Sequence, residues 1–304
     1  MRLVFAGTPE VAVASLDALV ASDHDVVAVV TRPDAPSGRG RRMTASPVAA
    51  RAVELGIEVL KPGHPRDEDF QARLREIAPD ACAVVAYGAL LPQSALEIPL
   101  HGWVNLHFSL LPRWRGAAPV QRAIMAGDDE IGTSCFRIVK ELDAGDVYLM
   151  ESLPMPEGTA GEILALLAET GARQLVTAMD LVQAGLAPTP QLTDGVTIAP
   201  KIGVEEARID WSRPAREIHR LIMGCSPDPG AWCELDGQRF KVYRSVPAPD
   251  APALGPGELS TTKRQVLVGT GSVSLELLEV QAPGKRRLPA ADWARGGVES
   301  TVLA

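Results

Sequence analysis

Between Arg2 and Tyr87 the chain alternates short apolar runs with helical patterns, and no other feature narrows its possible folds as much. Arg2–Ala6, Asp25–Thr31, Ile57–Leu60 and Asp80–Tyr87 read as buried strands, and Thr44–Leu55 and Phe70–Ile77 as helices. The first strand runs into Gly7-Thr8-Pro9-Glu10, where Thr8 can cap a helix whose first position is Pro9. Strands alternating with helices predict a Rossmann-like, mostly parallel sheet with right-handed crossovers and helices on both faces. Ligands of such sheets sit beyond the carboxyl ends of the strands. The opening turn, however, carries one glycine where a dinucleotide fingerprint needs GxGxxG, so the backbone cannot approach a pyrophosphate closely.

The chemistry concentrates between Val104 and Asp146. In an extended segment residues two apart share a side, so Asn105 and His107 face one way while Val104 and Leu106 face the other. Asp143 arrives on a later apolar run. An amide, an imidazole and a carboxylate brought together suit acyl transfer. The amide N–H groups stabilise a developing oxyanion, the imidazole moves protons, and the carboxylate orients it. A zinc site is disfavoured because the five histidines show no HxxxH spacing and no cysteine lies near His107. A serine hydrolase is disfavoured because no GxSxG elbow surrounds Ser109.

Thr159–Leu186 reads as one long helix or two, with Leu164, Leu167, Leu175, Met179 and Leu181 facing inward. The chain then divides into a domain of residues 1–188, a proline- and turn-rich linker at 189–206, and a domain of residues 207–304. In that last part a helix follows Asp210-Trp211-Ser212, and short strand-like runs separated by glycine-rich turns predict a small β-barrel. The net charge of −8 falls entirely on residues 1–204, because residues 205–304 hold 13 residues of each sign. A nucleic-acid partner must therefore meet local basic clusters. Two stand out: the Pro/Gly/Ser-rich loop at 32–43 with Arg39, Arg41 and Arg42, and Lys285-Arg286-Arg287 after a Pro-Gly turn. Four cysteines without a CxxC pair read as free thiols in a reducing compartment, which places the protein in the cytoplasm. Neither a secretory leader nor an apolar run of the roughly 20 residues needed to span a bilayer is expected.

The string Asn105-Leu106-His107-Phe108-Ser109-Leu110-Leu111-Pro112, followed by Arg115-Gly116-Ala117-Ala118-Pro119 and Leu142-Asp143-Ala144-Gly145-Asp146, resembles the 10-formyltetrahydrofolate-dependent formyltransferases. Within that family it is most similar to the branch acting on methionyl-tRNA, and the likeness covers nearly the whole chain. The resemblance implies catalysis by Asn105, His107 and Asp143 without a metal. It implies folate contacts from Tyr87, Gly88, Ala89, Leu90, Leu91, Ser109, Leu110, Leu111, Pro112, Lys140, Glu141 and Leu142. It implies tRNA contacts from Arg39, Arg41, Arg42, Lys285, Arg286 and Arg287, and a carboxy-terminal OB-like barrel. Arg113, Trp114 and Arg115 would shape the wall towards the acceptor. The implied partners are the folate co-substrate and methionyl-initiator tRNA, taken by a monomer. Phe108 stands where related sequences can carry a smaller residue. The rival acceptors are a sugar nucleotide or water, and the non-catalytic rival is an RNA-binding module.

Overall fold

The computed structural model describes residues 1–37, 42–297 and 301–304. Arg39 and Arg41 of the basic loop lie outside the described residues. The chain forms two compact units that interleave along the sequence. The first comprises residues 1–116, 130–154 and 164–198, and the second residues 117–129, 155–163 and 199–304. The Pro119–Ala126 helix belongs to the second unit because it packs there against Ala215–Gly224. A Cβ on Gly224 would stand 2.7 Å from Met125 Cγ, so the two helices meet through a residue without a side chain.

The first unit is built on a seven-stranded sheet. Its order is Val147–Pro154, Glu130–Arg137, Trp103–His107, Ala81–Val85, Arg2–Gly7, Asp25–Val30 and Glu58–Leu60. The five strands from Trp103–His107 onward are parallel, and the remaining two are joined antiparallel. The central runs are apolar without alternation because helices cover both faces, as the Rossmann-like reading expects. Of the two expected alternatives, one long helix is found, Ala160–Gln183, of 24 residues. Leu167, Leu175 and Met179 are fully buried, while Leu164 and Leu181 are partly covered. Mid-helix Gly171 lets the helix lie against the site strand, since a Cβ there would meet Leu106 Cδ2 at 2.9 Å.

Two local expectations change. Thr8 does not cap a helix; Glu10–Ala12 is a 3-10 turn entered at Pro9. The Thr8 hydroxyl instead donates to the Tyr87 carbonyl at 2.8 Å and accepts from Arg32 N–H at 3.3 Å, tying three strand ends together. The helix expected from Thr44 starts at Pro47, because Ser46 caps it by accepting Ala49 N–H at 3.1 Å. Thr44 itself ends a short strand, Arg42–Thr44, paired with Ala35–Ser37.

In the second unit Ala231–Leu235, Gln238–Ala248, Ser274–Gln281, Val266–Val268 and Leu259–Thr261 form an antiparallel sheet in that order. Both edges of it are met by Thr301–Ala304. Glu234 and Ala304 exchange N–H···O bonds of 2.6 and 2.9 Å on one side. Leu259 N–H donates to Thr301 and Leu303 N–H to Gly257, each at 2.8 Å, on the other. The sheet is thereby closed on itself, with Leu303 buried in its core.

Candidate active site

Asn105 and His107 sit at the carboxyl end of the Trp103–His107 strand. In register Asn105 lies beside Val84 and Phe136, so its side chain shares the sheet face of Val84. That face carries the cluster of Val4, Val84, Tyr87 and Trp103, against which Ala89, Leu91 and Ile138 also pack. The loops 86–92 and 138–146 therefore flank the face from which Asn105 and His107 project. The 138–146 loop leaves the sheet where Ile138 N–H donates to Trp103 O at 2.8 Å, then folds back over it.

His107 is 6% exposed, with its ring edge-on to Phe136 at 6.3 Å. Its Nε2 lies 2.8 Å from the Trp114 carbonyl. A carbonyl only accepts, so Nε2 carries the proton of the neutral ring and Nδ1 keeps the lone pair. Nδ1 faces Asp143 Oδ2 at 3.9 Å, too far for a direct hydrogen bond. Burial pushes the His107 pKa below its ordinary value, and the Asp143 carboxylate and the Trp114 bond partly restore it. Near neutral pH the ring is a base whose protonated form has an anion waiting beside it. Asn105 is partly exposed, and among the described residues its side-chain amide meets no partner. An amide donor and an imidazole base on one rim can stabilise a developing oxyanion and take a proton from an attacking amine.

Asp143 is held in a left-handed conformation, φ 47°, with Oδ2 accepting Gly116 N–H at 2.7 Å. Its neighbours come from a stretch read in the sequence as a linker. Gln191 Nε2 donates to Asp143 O and Gly145 O at 2.8 and 2.7 Å, and Gln191 Oε1 accepts from Arg115 Nη2 at 2.6 Å. Thr197 accepts Trp114 N–H on its hydroxyl and Arg115 N–H on its carbonyl, at 2.8 and 2.9 Å. The Arg115 guanidinium is thus turned to Gln191 and not to an open acceptor wall. Sequence reasoning missed Gln191 and Thr197 because isolated polar residues in a turn-rich stretch carry no periodicity or motif.

The residues expected to contact folate fall into two groups. Leu90 and Leu142 are 78% and 50% exposed, and Gly88, Lys140 and Glu141 are exposed with them. Ala89 and Leu91 are partly covered, while Tyr87 is buried, with its phenol pKa raised by that burial. Ser109, Leu111 and Pro112 are also buried, and Leu110 is partly so. Ser109 Oγ donates to Arg113 O, and Ser134 Oγ both donates to Ser109 O and accepts Leu111 N–H, at 2.7–3.1 Å. This segment braces the loop that carries the Trp114 carbonyl. Of the basic residues, Arg42 is exposed. Lys285 and Arg286 line a cavity of about 590 Å³ beside Asp292 and Trp293. Arg287 pairs with Glu279 at 2.5 Å and lies 4.3 Å over the Tyr243 ring.

The family model described as "Formyl transferase" matches residues 1–179, and "Formyl transferase, C-terminal domain" matches residues 201–297. A methionyl-tRNA formyltransferase of Streptomyces avermitilis is 61% identical over 300 residues, covering 97% of this chain and 96% of that protein. One from Thermobifida fusca is 59% identical over 298 residues, covering 97% and 96%. Among solved structures, HypX from Aquifex aeolicus aligns with TM-score 0.72 at 20% identity, over 99% of this chain and 48% of that one. This chain therefore spans about half the length of HypX, and at that identity the likeness concerns the fold alone. Among the described residues no helix is long and apolar enough to cross a membrane, and no group of His, Cys, Asp and Glu could hold a metal ion.

Proposed function

The chain belongs to the formyl transferase family, and on that premise we propose that it moves the formyl group of 10-formyltetrahydrofolate onto the α-amine of methionyl-initiator tRNA. The observation that carries this reading is the His107–Asp143 pair at the strand end that also carries the Asn105 amide, which meets no partner among the described residues. The folate is consumed in the reaction and is treated as a substrate. The exposed Leu90 and Leu142, on the two loops that flank the Asn105 face, offer apolar surface to a flat ring. Tyr87–Leu91, Ser109–Pro112 and Lys140–Leu142 would form its walls, the buried members by supporting the exposed ones.

The amine nitrogen bonds to the formyl carbon, the bond from that carbon to N10 of the folate breaks, and one proton passes from the amine to N10. Asn105 donates to the formyl oxygen as negative charge develops there. His107 takes the amine proton at Nδ1, the position the 2.8 Å Trp114 bond leaves open, and Asp143 stabilises the imidazolium before the proton moves on. This gives the oxyanion to Asn105 and the proton to His107, the division expected of an amide and an imidazole brought together.

We take residues 1–188 as the catalytic domain and 207–304 as the tRNA-binding one, in a cytoplasmic monomer. Arg39, Arg41 and Arg42 with Lys285 and Arg286 are the proposed phosphate contacts. A single-turnover assay tests the reading. Labelled 10-formyltetrahydrofolate is mixed with methionyl-initiator tRNA, with an amino-sugar nucleotide, or with buffer. Label in aminoacyl-tRNA is expected. Label in the sugar, or released as formate, would replace the acceptor, and tRNA binding without transfer would make the chain a binding protein.

A further inference from the structure

Among the described residues Asp143 is the charged group facing the His107 imidazole, which also meets the Trp114 carbonyl and the Phe136 ring. Asp143 can serve that ring only if its carboxylate is aimed, yet its own backbone sits in the left-handed region that a residue with a side chain adopts reluctantly. Something must hold it there. The carboxylate is fixed by Gly116 N–H, so the short Arg115–Gly116 strand that carries this donor must be held as well. Both requirements converge on one partly buried side chain from the 189–206 stretch.

We propose that Gln191 is a positioning residue for the reaction. It aims Asp143 at His107 by bonding the Asp143 and Gly145 carbonyls with its amide N–H groups and by holding Arg115, and with it Gly116, through its amide oxygen. Each of the two N–H groups and the oxygen is used, so no other side chain of this size reproduces the set. Methionine has the length and no donor, glutamate keeps the Arg115 contact but presents oxygen to two carbonyls, and asparagine is one methylene short. The consequence is that the catalytic pair is completed by a segment between the two family-model matches, after residue 179 and before 201. A chain ending before Gln191 would keep Asn105, His107 and Asp143 but not their alignment.

The proposal rests on Asp143 being the partner of His107, and the test separates the two claims. Gln191→Met, Arg115→Met, Asp143→Asn and the double variant Gln191→Met/Asp143→Asn are prepared in the full chain. The His107 ring proton is followed by NMR against pH, assigned by its loss in His107→Gln. Formyl transfer kinetics are measured in parallel. In Gln191→Met the His107 titration should move to lower pH, because the carboxylate is no longer aimed at it. At the same time kcat should fall by about tenfold or more with KM for both substrates unchanged. Arg115→Met, which leaves both carbonyl bonds, should move the titration less. In the Asp143→Asn background Gln191→Met should move it no further, as expected of a residue acting through Asp143. A wild-type His107 titration in Gln191→Met, with Asp143→Asn shifted, would overturn the proposal alone. An unshifted titration in Asp143→Asn itself would remove both the pairing and the positioning role. A variant that lost stability but kept titration and kcat would show Gln191 to be an anchor of the chain and nothing more.

Discussion

At the scale of single residues, the site divides labour between groups that the sequence could name and groups it could not. Asn105→Ala removes one oxyanion donor and is expected to lower kcat by about 10²–10³ in single-turnover transfer. The pH dependence has a definite sign. His107 is held below its ordinary value by burial, so the neutral, proton-accepting form persists into mildly acidic solution. The acid limb of kcat should therefore lie below pH 6.5, and Asp143→Asn should carry it lower still while reducing the plateau. The alternation rule placed Asn105 and His107 on one face from the string alone, because a strand's geometry depends on nothing distant. The tautomer of His107 depends on the Trp114 carbonyl, which is delivered by a loop pinned to Thr197, a contact 83 residues away in the chain. Local pattern carries no trace of such a contact. The basic cluster shows the same divide: Lys285, Arg286 and Arg287 look equivalent in the sequence, yet Arg287 is already engaged by Glu279 and Tyr243. Replacing Lys285 or Arg286 by alanine should each reduce the salt slope of tRNA binding by about one, and Arg287→Ala should do so less. Unchanged slopes in all three would place the tRNA elsewhere.

At the scale of elements, the site strand is positioned from behind. The long Ala160–Gln183 helix covers Leu106, the residue between Asn105 and His107, and comes close because position 171 has no Cβ. Gly171→Val would drive a branched side chain into Leu106 and Thr133, whose Cγ2 already stands 3.4 Å from a Cβ built at that position. Overpacking of this kind is expected to cost about 1–3 kcal/mol in denaturant unfolding. It should also lower kcat through the strand it displaces, and a wild-type midpoint would show that the helix can yield. The strands and helices themselves were readable because the first unit follows a repeated local grammar of apolar run, turn and helix. Thr8 is the instructive exception. Its position before proline matches a helix cap, but its hydroxyl is better used on the Tyr87 carbonyl and Arg32 N–H, where three strand ends meet. A competing tertiary bond decided the matter, and a linear pattern cannot weigh it.

At the scale of the whole molecule, stability should follow the buried histidines. His24, His107 and His219 all have pKa values pushed down by burial, so the unfolded chain binds protons that the folded chain refuses. Their contribution is full above the ordinary histidine value of 6.5 and is lost as pH falls below it. Thermal midpoints should decline on acidification through that window before the carboxylates titrate, and a flat profile from pH 7 to about 5 would contradict this. The closure of the carboxy-terminal barrel has a consequence of another kind. A nascent chain leaves the ribosome from its amino terminus, and until Thr301–Ala304 emerge the backbone groups of Glu234 and Leu259 at the two edges of the sheet lack the partners that the tail supplies, although Ala207 and Ile209 already pair with Trp232. The second unit, although most of its length is synthesised earlier, is therefore finished in one late step. Chains stalled shortly before residue 301 would be the species most prone to pair with one another on polysomes.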